Sequence, residues 1–266
     1  MHKGLAAFVL VFGIFGIKLP APPPAVDAPA EWNTVEAGVR DRILQKDAAL
    51  ADLKRLRPML DKYYLDRGCE LAPYQGVFPV AGGTLKDANM FGYIDKHYDF
   101  FSGKNHKDHP AVDIFIRDRN HDCLDDKTKE AVKVLSMSPG IVVSVYTGWQ
   151  PGNLLRGGNS AWVYDPVSKG LYYYAHMSMT AAAVGNTVKP GDVLGTVGRT
   201  GTNAFMKRSP THLHVMYLKY PKDGYPVPEN VSNILVAAKK KQQTQVNTEE
   251  EGKVADKNVP AGKMGK

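Results

Sequence analysis

Thr211-His212-Leu213-His214-Val215-Met216-Tyr217 is the stretch from which the rest of the chain can be read outward. Val215 and Tyr217 favour extended backbone, and the run predicts a β-strand. Residues two apart on a strand face the same way, so His212 and His214 project from one surface. Two imidazoles side by side on a rigid element suit a metal ion, or a metal ligand beside a general base. An HxH pair alone is equally compatible with two ordinary polar residues on a half-exposed face.

A second segment supplies partners for that pair. In His109-Pro110-Ala111-Val112-Asp113-Ile114-Phe115-Ile116 the residues Val112, Ile114 and Ile116 alternate, which predicts a strand with one buried face. His109 and Asp113 are four apart, an even offset that places both on the other face. Two imidazoles and a carboxylate, with the fourth position open, form the donor pattern of catalytic rather than structural zinc. Tyr172-Tyr173-Tyr174-Ala175-His176-Met177-Ser178 again puts a histidine at the end of a strand-like run. A lone histidine among tyrosines is commonly a hydrogen-bonded core residue, but this one accompanies the other two motifs.

Taken in order, HPAVD (109–113), YYAHMS (173–178) and THLH (211–214) resemble the motifs of the lysostaphin-type or LytM-like zinc metallopeptidases. The glycine-rich run from Val188 to Gly201 is similar to that family as well. The resemblance spans Phe78 to Tyr220. It departs from the family at Ala111, where glycine is usual, and in the longer stretch from Asn203 to Pro210. It implies a mainly β (α+β) fold, an antiparallel, sandwich-like sheet core preceded by a helical arm. It also implies a zinc ion on His109, Asp113 and His214, with His212 as general base and His176 orienting water or steadying an oxyanion. The implied substrate is a cross-linking peptide of bacterial peptidoglycan.

The rest of the 266-residue chain divides by composition. Residues 1–28 carry an apolar run, Gly4 to Ile17, between basic residues, the pattern of a secretory signal; an uncleaved anchor is the other reading. Export to the periplasm or cell envelope follows, with no stable membrane insertion once the signal is removed. Residues 31–68 predict an amphipathic helix, with Val39, Ile43, Leu50, Leu53 and Leu60 on one stripe and a kink or restart at Pro58. That region is either docked on the following domain or an arm that receives a regulatory protein. Residues 71–236 form the predicted peptidase domain, and 237–266 a charged, disordered tail.

Asp118, Asn120 and Asp122 have the alternate spacing of a calcium loop. Cys123 replaces its turn glycine, and Lys129 its bidentate acid, so a solvated turn is the expectation. The connection from Thr147 to Asn159, with Trp149 and Arg156, either lines a substrate groove or is a plain hairpin. Cys69 and Cys123 are an even pair whose compartment permits a disulfide without requiring one. A net charge of +7 suits anionic wall polymers; no nucleic-acid motif accompanies it, so no nucleic-acid partner is expected.

Three alternatives stand beside the active peptidase. A D-Ala-D-Ala carboxypeptidase type of zinc site is disfavoured, because Ser209 and Pro210 stand where a glutamate is needed. A non-catalytic module that binds wall or activates another hydrolase is countered by the presence of all five expected residues. A latent site, covered by the 31–68 arm, retains the metal.

Overall fold

A computed structural model describes residues 26–240. Residues 1–25 of the segment read as a signal, and 241–266 of the charged tail, lie outside the described residues. Two helices lead: α1 (Ala28–Arg40), capped by the Asp27 side chain, and α2 (Lys46–Leu65). The strands follow as β1 (Ala88–Asn89), β2 (Ala111–Phe115), β3 (Lys133–Leu135), β4 (Gly140–Tyr146), β5 (Asn159–Asp165) and β6 (Gly170–Met177). After these come β7 (Met179–Thr180), β8 (Thr187–Val188), β9 (Val193–Thr196), β10 (His212–Lys219) and β11 (Val227–Glu229).

All pairings are antiparallel. The main sheet runs β1-β2-β10-β6-β5-β4-β8, with β11 also paired to β10, and β3-β9-β7 form a second, smaller sheet. This is the mainly β fold with a helical arm that the resemblance implied. β5 and β6 form a hairpin, its turn held by Asp165 Oδ1 accepting from Val167 N at 2.8 Å.

Side-chain alternation gives the main sheet two apolar faces. Val112, Ile114, Val163, Tyr174, Leu213 and Val215 pack with Phe78, Val134 and Leu194 against the small sheet. Ile141, Val143, Trp162, Tyr164, Met216 and Leu218 face the other way and are covered by Trp32, Val35, Leu53, Leu56 and Leu60 of the two helices. The helical region is therefore a layer of the core. Polar ties fix it: Tyr164 Oη donates to Asp61 Oδ1 at 2.7 Å, and Lys169 Nζ meets Asp61 Oδ2 at 2.7 Å.

Two expectations for this region are corrected. The single helical stripe is broken at 41–45, where Gly38 O accepts from both Ile43 N and Leu44 N and Arg42 takes φ 63°. Ile43, placed on the buried stripe by periodicity, is 80 % exposed. Pro58, expected to kink or restart the helix, lies inside α2, which continues past it to Leu65. Proline deletes one ladder bond there, and burial of Leu53, Leu56 and Leu60 on either side holds the helix together.

At the other end the folded part passes residue 236. Residues 232–240 are helical, Ala238 is buried, and Lys239 Nζ donates to Gly83 O at 2.7 Å. Cys69 and Cys123 are both free thiols. The acidic turn is held by a buried Asp118, not solvated throughout as expected. Asp118 accepts from Asp122 N (3.1 Å), Cys123 N (2.9 Å) and Thr211 Oγ1 (2.6 Å). It ties the end of that turn to the residue that precedes His212.

Candidate active site

β10 lies between β2 and β6, so the three motif strands are immediate neighbours. His214 is paired directly with Asp113 on one side and with Ala175 on the other. Directly opposed residues of an antiparallel pair share a face and stand close enough to touch. His214 Nδ1 accordingly lies 3.1 Å from Asp113 Oδ1, and His109 Nε2 lies 3.2 Å from the same oxygen. One ligand atom from each of His109, Asp113 and His214 falls within 4.8 Å of the others. His212 Nε2 stands 3.8 Å from Asp113 Oδ1.

His176 arrives by a different route. Ala175 shares the face of His214, so strict alternation would put His176 on the opposite face, with Tyr174. Its backbone instead takes φ 65°, the left-handed region. That turn brings its ring to 4.8 Å from the His212 ring and 5.4 Å from the His214 ring, centroid to centroid. A non-glycine residue held in this conformation is strained by about 1–3 kcal/mol, and such strain gathers at functional positions. Gly201 leaves room for the arrangement: at φ 107°, a Cβ there would stand 2.2 Å from Arg156 O and 2.9 Å from His176 Nδ1.

Main-chain carbonyls set the tautomers. His109 Nδ1 donates to Gly92 O (3.0 Å), His176 Nδ1 to Thr200 O (2.8 Å) and His212 Nδ1 to Pro210 O (2.7 Å). A carbonyl can only accept, so each Nδ1 carries the proton and each Nε2 keeps its lone pair. Burial resists ionisation of Asp113, yet the adjoining His109 and His214 imidazoles outweigh it and hold the carboxyl well below its usual range. Burial pushes His214 down to about 4 and puts His176 well below the ordinary imidazole value, with neighbouring imidazoles adding to the effect. For His109 burial is outweighed by Asp113, and its pKa is raised.

These groups line a cleft of about 230 Å³, whose walls include His106, Arg156, Tyr173 and Asn203. The donor set of two imidazoles and one carboxylate fits zinc, which takes imidazole nitrogens together with a carboxylate oxygen. The sequence reading did not single out His106 or Tyr173: a lone histidine and one tyrosine of three carry no spacing signal. Arg156 belongs to the connection read as a groove wall or a plain hairpin, and it lines the cleft.

Residues 119–227 match the model of Peptidase family M23. The matched segment contains His176, His212 and His214 and begins after His109 and Asp113. No curated protein matches the chain. Among solved structures, it is similar to the catalytic domain of the antimicrobial peptidase lysostaphin from Staphylococcus simulans. That similarity has 22% identity over 58% of this chain and 93% of that one, at a TM-score of 0.38. It is also similar to a zinc-containing peptidase from Vibrio cholerae, with 21% identity over 52% of this chain and 34% of that one, at a TM-score of 0.34.

Proposed function

We propose that this chain, whose residues 119–227 match the model of Peptidase family M23, is an exported zinc metalloendopeptidase that hydrolyses peptide cross-links of bacterial peptidoglycan. The observation that carries this reading is the convergence of His109, Asp113, His176, His212 and His214 on one cleft. His109, Asp113 and His214 would hold the metal. Zinc, when bound, supplies Lewis acidity toward a peptide carbonyl and toward water.

The chain's own groups do the rest. Asp113 stays anionic and His214 neutral, so both reach the metal without first losing a proton near neutral pH. His212, with its Nδ1 proton given to Pro210 O, presents a basic Nε2 and takes the proton of the attacking water. His176, oriented by Thr200 O, holds that water or stabilises charge on the carbonyl oxygen. The cleft beside strand β10 receives the peptide in an extended form.

Digestion of purified peptidoglycan by the zinc-loaded chain, with mass spectrometry of the released muropeptides, tests the proposal. Release of cross-link fragments that stops on chelation is expected. An unchanged peptidoglycan profile with zinc bound would favour the non-catalytic module. Among the described residues no helix is long and apolar enough to cross a membrane.

A further inference from the structure

Next to the cleft is a second cavity, the rear one, of about 70 Å³, lined in part by Glu36 and Arg40 of α1. His106, Arg156, Gly157, Tyr173 and Met216 line both spaces. Arg156 thus stands where the two meet. It is half-buried, and its Nη1 donates to His106 O at 3.0 Å. No carboxylate among the described residues lies within 4 Å of its guanidinium, in contrast to Arg40, which is paired with Glu36 and Asp41 at 3.1 and 2.9 Å. A guanidinium has five N–H donors in a planar fork that matches a carboxylate. Here most of that fork is uncommitted.

The acids nearby are already engaged. Glu36 accepts from Arg40 and from Ser144 Oγ, Asp108 Oδ2 accepts from His97 N, and Asp113 belongs to the ligand set. Lys104 is a third cation on the rear cavity, beside Arg156 and the paired Arg40.

The backbone on either side of Arg156 is held in place. Thr202 N donates to Leu155 O (3.2 Å), His176 N to Gly157 O (2.9 Å), and the Asn159 N–H to Thr200 Oγ1 (2.8 Å). The same loop that orients His176 therefore positions the arginine. A cation held this firmly beside the reacting groups, without an internal counter-ion, is arranged for an external anion.

We infer that Arg156 is a specificity residue that binds a carboxylate of the substrate beside the scissile bond, and that the preferred substrate is an acidic peptide. This deepens the peptidase reading of the same cleft and rests on it. No bond is made or broken by Arg156; it selects and seats the chain.

The test uses the full-length, zinc-loaded protein and a synthetic peptidoglycan stem pentapeptide with free carboxylates, beside versions with each carboxyl converted in turn to the carboxamide. Affinity is read as Kd where a peptide survives and as kcat/KM where it is cut. One carboxamide should bind roughly ten- to a hundredfold more weakly than the free acid, the range of a charge-assisted hydrogen bond. Arg156→Gln, which can still donate to His106 O, should bring that ratio close to one. A role confined to bracing His106 would leave the ratio where it was.

Should the glutamine variant fail to fold, the ratio is read on Arg156→Met, which removes both the charge and the donors; an undiminished ratio there overturns the inference. So does a wild-type ratio near one for every carboxyl. Digestion of peptidoglycan without carboxylate discrimination removes the role of Arg156 and leaves the peptidase standing. Discrimination without digestion does the reverse.

Discussion

His176 and His212 hold their rings 4.8 Å apart at 68°, and each gives its Nδ1 to a main-chain carbonyl. Neither is in the three-residue ligand group. We predict that His212→Ala keeps its zinc and fold and loses activity by about two to four orders of magnitude, the scale of a missing acid-base group. His176→Ala should also keep its metal, with a rate lower by about two to three orders. Zinc release from the His212 variant, with retention in His214→Ala, would reverse the two roles.

The ligand set predicts one zinc per chain. Asp113 stands within 3.2 Å of both His109 and His214, so Asp113→Ala removes a ligand and the group that aligns the other two. Elemental analysis should find the variant metal-free after dialysis against a weak chelator that leaves wild type loaded. A full zinc complement in the variant would mean that the metal sits elsewhere.

Gly103 carries a prediction about the arm. At φ 53°, a Cβ there would meet Val39 O at 2.2 Å and Arg40 O at 2.8 Å, and neither backbone atom can rotate away. Gly103→Ala should therefore destabilise the protein by about 1–3 kcal/mol. Thermal unfolding should show a drop of several degrees, since about 1 kcal/mol moves the midpoint of a domain this size by 2–4 °C. An unchanged midpoint would show that the segment Phe100–Asn105 does not bear on α1.

Glu36 sets a pH dependence. Burial raises its pKa above the ordinary carboxylate value, and the pull of Arg40 and the Ser144 hydroxyl do not offset it. Its protonated form suits the fold, so the stability it contributes is present below the ordinary carboxylate range and lost as pH rises through the raised value. Between those limits wild type should lose stability relative to Glu36→Gln. Urea melts of the two proteins across that range should diverge with rising pH; parallel curves would mean that Glu36 ionises freely.

The helices answer a question left open by their sequence. Trp32 is fully buried, with its ring 6.0 Å from that of Trp162 on β5. Trp32→Ala should destabilise the whole domain by about 3–5 kcal/mol. Removal of residues 26–68 should give an aggregating product on size-exclusion chromatography, because it exposes Ile141, Val143, Tyr164 and Leu218 together. A monomeric, more active truncated chain would instead support a latent site covered by the arm.

The clustering of His109, Asp113 and His214 was legible because strand periodicity is a two-fold signal. An even offset between His109 and Asp113, or between His212 and His214, fixes a shared face before any tertiary contact is known. His176 was legible only through its motif: periodicity alone assigns it to the wrong face, and the left-handed backbone that corrects it depends on Gly201 and the Thr200 carbonyl. Arg156 was seen only as part of a connecting segment, since a single arginine in a glycine-rich loop has no pattern. The helical stripe misled at Ile43 because periodicity cannot register a break whose cause is the capping of Gly38 O. Pro58 misled for the converse reason: local propensity argued for interruption, and the packing of its neighbours outweighed it.

β10 is hydrogen-bonded along both edges, to β2 and to β6, through the residues that bear the histidines. The ligands are therefore held in place by a ladder that forms with the sheet itself, with little conformational entropy left for an ion to remove. Folding and metal loading become separable events, unlike small zinc domains that are unfolded without their ion. A chelated chain should remain folded, with slow amide exchange at Val215 and Met216, and should recover its ion without refolding. A site built into a sheet in this way can form empty and take up an ion afterwards.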